Sequence, residues 1–111
     1  MRKFIHLPGR RKRWAVSQRE LAHLVGVGQG IISRYEKGQL TPGARTLMAL
    51  EIVFGKSSRH LFPSLYQKIE EEVMRRAAAL ERTLWDQADS GSLRKRRLLN
   101  RMAARQEPTS A

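Results

Sequence analysis

Residues 17–38 read SQRELAHLVGVGQGIISRYEKG, and their spacing predicts two short helices joined by a tight turn. Ser17 carries the short hydroxyl side chain that caps a first turn, and Glu20 three residues later completes a capping box. Val16 and Leu21 stand where a hydrophobic staple across that cap would lie. Leu21, Ala22 and Val25 recur at helical spacing on one apolar face. Gly26 closes the helix, because glycine enters left-handed backbone space without steric cost. Val27 is an apolar plug in the turn. The second helix is expected from about Gln29 to Lys37, with Ile32 and Tyr35 on its buried face and Gly38 ending it.

Two helices of this length cannot bury a core by themselves. Their spacing suits an ordinary helical hairpin in an all-α domain, or a helix-turn-helix unit whose second helix enters the DNA major groove. The chain has 111 residues, enough for one compact domain and an appendage, and a formal charge of +12. Residues 1–63 hold 12 cationic and 3 acidic side chains, residues 64–90 hold 4 and 6, and residues 91–111 hold 6 and 1. A basic head and a basic tail thus flank a charge-balanced middle. Such a potential attracts a polyanion, of which nucleic acid is the commonest in the cytoplasm. The charge alone also fits a membrane-surface binder or a merely soluble protein, and it does not separate DNA from RNA. No run approaches the ~18 apolar residues of a membrane span. No apolar stretch follows the basic start, so no signal peptide is expected. The chain has no cysteine, which excludes disulfides and thiolate metal sites and is consistent with a reducing cytoplasm.

Outward from the central pair, residues 1–6 are expected to be loose. A first helix is expected from Leu7–Pro8 to about Trp14, with Pro8 favoured in a first turn and Gly9 weakening it by roughly 1 kcal/mol. Arg10, Arg11, Lys12 and Arg13 cannot all face water, so one lies toward the protein and needs a partner. Downstream, Thr41 is expected to cap a helix over about Pro42–Val53. Leu47, Leu50 and Phe54 form its apolar face, with Ala44 and Met48 beside them, and Gly55 ends it. Ser57 or Ser58 caps a single turn, and Leu61 and Phe62 fold back onto the core. Pro63 is the natural end of a domain over 1–63, since the residue before proline resists helix.

A helical extension over 64–105 follows. Ser64 and Gln67 form a second capping box for a helix to about Ala88. Ile69, Val73, Ala77, Leu80 and Leu84 make a stripe that wants a partner surface: the head domain, the last helix, or a second copy of the chain. Glu71–Arg75 and Glu72–Arg76 are favourable i,i+4 pairs. Ala77 and Ala88 are small, so the stripe is not a strong coiled coil. Asp89–Ser92 is a break. Leu93–Ala104 is the final helix, with Arg94, Arg97, Arg101 and Arg105 on one face and Leu98, Leu99 and Met102 on another. Residues 106–111 are expected to form a disordered tail. Trp14 and Trp85 read most simply as core or seam anchors.

The set Ser17-Gln18-x-Glu20-Leu21-Ala22, Gly26-Val27, Ile32-Ser33-Arg34-Tyr35-Glu36-x-Gly38, Pro42, Leu47, Phe54-Gly55 and Leu61-Phe62 resembles the lambda-repressor-like (XRE-type) helix-turn-helix family of bacterial and phage regulators. The resemblance spans about Leu7–Phe62 and implies an all-α, five-helix DNA-binding domain, here followed by a long helix and a short basic C-terminal helix. It implies base contacts from Gln29, Gly30, Ser33 and Arg34, a primary amide suiting adenine and a guanidinium suiting guanine. It implies phosphate contacts from Gln18, which would also brace Gln29, and from Lys37, Arg10, Lys12 and Arg13. Arg11 and Glu36 match a pair that many members bury as an ion pair. Gly30 replaces a usual polar residue, Gly28 a usual Ser or Thr cap, Glu51 a frequent alanine and Lys56 a usual valine. Ile31 is apolar where a polar residue is common.

No other chemistry competes. His6, His23 and His60 have no metal-ligand spacing. Glu70-Glu71-Glu72 reads as a solvated face, and Ser57-Ser58 as a cap rather than a nucleophile. No phosphate-cradling glycine motif occurs. The expectation is a non-enzymatic, cofactor-free regulator that binds double-stranded DNA as a homodimer. The runs Arg10–Arg13 and Arg94–Arg97 read as phosphate contacts, an import patch, or solubilising charge. An antitoxin-like or adaptor protein whose C-terminal helices bind a toxin or an RNA polymerase subunit is the second reading. A charge-driven RNA or nucleoid binder is the third.

Overall fold

The computed structural model describes residues 5–106. Residues 1–4, and 107–111 of the expected tail, lie outside the described residues. All regular structure among the described residues is helical: α1 Leu7–Arg13, α2 Gln18–Val25, α3 Gln29–Glu36, α4 Ala44–Phe54, α5 Ser58–Leu61, α6 Pro63–Leu84 and α7 Ser90–Gln106. The chain divides into two compact units, 1–67 and 68–111.

Unit 1 is built by local signals that agree with each other. The Ser17 hydroxyl accepts the Glu20 N–H, and the Glu20 carboxylate accepts the Ser17 N–H. These bonds hold the Glu20 carboxyl below the usual carboxylate range. The cap is therefore whole at and above the ordinary carboxylate range and weakens as pH falls through the lowered value. Gly26 ends α2 at φ 85°, its N–H donating to the Ala22 carbonyl. Leu7, Leu21, Ala22, Ile32, Tyr35, Leu50, Leu61 and Phe62 form the core, with Val16, Val25, Val27 and Leu47 packed against it. One helix each from both sides of the turn thus shares a core with α1, α4 and α5.

Four boundaries differ from the sequence expectation. α4 begins at Ala44 with Gly43 in extended conformation as its cap, so Thr41 and Pro42 precede the helix rather than start it. α6 begins at Pro63, with the Phe62 carbonyl accepting the Tyr66 N–H, so Ser64 is its second residue and not its cap. α6 also stops at Leu84, and the expected break at 89–92 is instead the start of α7. Asp89 accepts from the Ser92 N–H and hydroxyl, which outweighs the breaker tendency of Ser90 and Gly91. Met48, expected beside the apolar face of α4, is mostly exposed.

The turn after α1 holds an unexpected strain. Ala15 has φ 57°, the one non-glycine residue with positive φ among the described residues. The Ala15 N–H donates to the Lys12 carbonyl and the Val16 N–H to the Arg11 carbonyl, a closure that glycine normally supplies. An Ala15→Gly variant is expected to gain about 1 kcal/mol, since left-handed backbone costs alanine about 1–2 kcal/mol and glycine's extra unfolded-state entropy offsets part of it. A lowered urea midpoint would contradict this.

Unit 2 holds most of α6 and all of α7 among the described residues, with a small core of Ala77, Leu84 and Leu99, flanked by Met102. The stripe therefore splits. Ala77 and Leu84 are buried, whereas Ile69, Val73 and Leu80 are exposed. Trp14 and Trp85 are exposed too, at 65% and 69%, and neither is a core anchor. Their bulk is apolar, but Trp85 lies under the Arg96 guanidinium at 5.6 Å, a cation–π contact at the surface.

Candidate nucleic-acid interface

α3 is held from beneath at two levels. Ile32 and Tyr35 enter the core. One turn beyond Ile32, Glu36 forms a two-pronged ion pair with Arg11, Nε to Oε2 at 2.8 Å and Nη2 to Oε1 at 3.1 Å. The Arg11 Nη1 donates to the Val16 carbonyl at 3.1 Å. The side chains are only 12% and 8% exposed. Of the four cations in α1, Arg11 is thus the one turned inward, and its partner lies on α3. The hydrogen bond to Glu36 raises the Arg11 pKa against the opposing effect of burial.

Gln18 completes this cluster: its amide Nε2 donates to Glu36 Oε1 at 3.0 Å. The expected brace to Gln29 is not what this amide makes. Glu36, with two oxygens to satisfy and little access to water, is the stronger acceptor. Gln18 and Gln29 still line one open groove, together with Arg11, Ser17 and Arg19. Arg19 was not singled out in the sequence. Its signal is a cation in the first turn of α2, where the helix dipole disfavours it.

The outer surface of α3 is polar and exposed. Gln29, Gly30, Arg34 and Lys37 are exposed and Ser33 is partly so. None of the Gln29, Arg34 and Lys37 side chains has a hydrogen-bond or ion-pair partner among the described residues. A Cβ built on Gly30 would meet nothing within 4 Å. No neighbour inside the fold requires glycine there, although it costs the helix about 1 kcal/mol relative to alanine. Gly28 starts α3 without a side-chain cap.

The α1 cations divide. Lys12 and Arg13 are exposed. Arg10 is engaged, its Nε donating to His60 Nε2 at 3.1 Å. A guanidinium only donates, so that nitrogen carries the lone pair. Partial burial, then Arg10, Lys56 and His6, push the His60 pKa below its ordinary value, which keeps the imidazole neutral for this role. His6 packs edge-on against His60 at 5.6 Å. Among the described residues no cluster of three or more His, Cys, Asp or Glu side chains could hold a metal ion, and no helix is long and apolar enough to cross a membrane.

The first helix is tied to the third through Arg11 and Glu36, the second ends in a glycine turn, and the third presents a polar face unpaired among the described residues: the fold and surface are those of a helix-turn-helix DNA-binding domain. In agreement, residues 11–61 match the family model described as Helix-turn-helix, and this segment belongs to the lambda-repressor-like (XRE-type) helix-turn-helix family. That family consists of DNA-binding transcription regulators, not enzymes. No curated protein and no solved structure matches the chain.

Proposed function

We propose that the chain is a sequence-specific DNA-binding repressor of bacterial or phage type, acting in the cytoplasm on double-stranded DNA. The observation that carries this reading is the unpaired outer face of α3, fixed from beneath by Ile32, Tyr35 and the Arg11–Glu36 pair. A rigid support with unengaged polar side chains is what direct readout needs. Gln29 would reach a base edge at the start of the helix, and Arg34 would fork onto guanine O6 and N7. Ser33 faces the groove beside them. Gly30 lets the helix approach the bases closely, which gives a reason for a glycine that the fold does not need. Lys12, Arg13, Lys37 and the newly placed Arg19 would contact phosphates, with Arg10 positioned by His60 and Gln18 by Glu36.

Binding as a homodimer would place two copies of α3 in successive major grooves, about 34–36 Å apart. The exposed Ile69, Val73 and Leu80 of α6 would form the seam between copies, beside the buried Ala77 and Leu84. The same exposed residues would serve an antitoxin-like or adaptor role if they covered a toxin or an RNA polymerase subunit instead.

A panel of single variants tests the assignment. Arg34→Ala is expected to relax preference at one base pair and to cost about 1–3 kcal/mol on the preferred site. Lys12→Ala is expected to weaken all duplexes alike and to flatten the salt slope by about 1. Binding isotherms on preferred and scrambled duplexes at several salt concentrations separate the two. Arg34→Ala that weakened every duplex equally would remove Arg34 from the base-reading set.

A further inference from the structure

We infer that the outward face of α7 is a second, sequence-independent contact for the phosphate backbone of duplex DNA. α7 carries six cations, Arg94, Lys95, Arg96, Arg97, Arg101 and Arg105, and no carboxylate. Leu99 and Met102 turn toward Ala77 and Leu84 of α6. Arg94, Arg97, Arg101 and Arg105 follow at steps of three and four residues on the opposite side, and all four are exposed. None of the four guanidinium groups has a hydrogen-bond or ion-pair partner among the described residues. Over eleven residues they span roughly 16 Å of helix. Arg96, the one half-buried cation of the helix, lies over Trp85.

This arrangement works against the helix that bears it. Like charges three and four residues apart repel. Local conflicts of this kind are expected at functional sites. Five of the six cations are arginine, whose fork matches a phosphate in a way that lysine does not. The nature of the polyanion follows from what else the face offers. It has no aromatic side chain, so it lacks the stacking platform that single strands use. Leu99 is buried within unit 2, and the exposed Leu93 and Leu98 lie five residues apart on different sides of the helix, so α7 offers no continuous apolar face to a lipid surface. A row of phosphates on a duplex needs neither. This contact presupposes that unit 1 binds duplex DNA, and it would add affinity by holding unit 2 near the same polymer.

The test uses the full chain on random-sequence duplex DNA between 50 and 200 mM salt, comparing wild type with Arg94→Gln/Arg97→Gln/Arg101→Gln/Arg105→Gln. Each lost phosphate contact removes about 0.9 from the slope of log affinity against log salt, so the slope should flatten by roughly 3.6. Wild type then loses about a hundredfold more affinity than the variant across that range. Arg97→Gln/Arg101→Gln should give half the change in slope, and it keeps the test usable if the fourfold variant does not fold. Replacement of all four by lysine should keep most of the slope. A variant that binds duplex with the wild-type slope overturns the contact while leaving the reading of unit 1 intact. Loss of binding to poly-glutamate with an unchanged slope on DNA also overturns it and assigns the face to an acidic protein. A wild-type chain that binds no duplex at all removes the reading of unit 1, and this contact with it.

Discussion

Replacing Glu36 with alanine should destabilise unit 1 by about 3–5 kcal/mol, the usual cost of removing one member of a buried ion pair. The reason is what remains. Arg11 would stay charged and mostly covered, with the Val16 carbonyl as its surviving acceptor, and the Gln18 amide would lose its partner. Because pairing raises the Arg11 pKa, its contribution is fully present below the ordinary guanidinium range and is lost only as pH rises through the raised value. The effect should therefore be the same at pH 6 and pH 8. Urea unfolding measures it. A companion variant, Arg11→Met/Glu36→Leu, should recover most of the loss, because two apolar groups leave no buried charge unpaired. A loss below about 1 kcal/mol for Glu36→Ala would mean that water replaces the carboxylate and that α3 is not held there.

Ile32→Ala should cost about 2–5 kcal/mol, the range for emptying a fully buried aliphatic site. Ile32 has no exposed surface and packs in the unit 1 core. It is also the apolar anchor of α3, so its loss should loosen the helix that presents Gln29 and Arg34. Ile31, which only packs against that core from the side, should cost markedly less when changed to alanine. Equal losses at the two positions, read from urea midpoints, would mean that the face of α3 toward the core has been misassigned.

The parts of this molecule that were legible in the sequence are those decided within a few residues. The Ser17–Glu20 box and the glycine after Val25 depend on neighbours, and the helices follow them closely. Helix starts are ambiguous where two local signals compete. Thr41-Pro42 has the form of a cap and a first residue, yet Gly43 serves as the cap. Ser90-Gly91-Ser92 has the composition of a break, yet an acceptor at Asp89 makes it a first turn. Side-chain direction was less legible. Gln18 has a long amide that reaches Glu36, which no spacing rule selects over Gln29. Within unit 2 only one edge of the stripe on α6 is covered, Ala77 and Leu84, while Ile69, Val73 and Leu80 stay exposed. Periodicity shows which residues share a side; it does not show how much of that side is used. Each tryptophan suits a core or a seam anchor by sequence; neither enters a core, and Trp85 meets a cation at the surface.

The central claim is that the outer face of α3 reads base edges. Selection of bound duplexes from a random pool tests it most directly, run in parallel on wild type and Arg34→Ala. The expected result is one enriched motif for wild type, with half-sites about 10–10.5 base pairs apart if two copies bind, and loss of preference at a single position of each half-site for the variant. Strong retention of DNA with no enriched motif, or the same motif from both proteins, would contradict it.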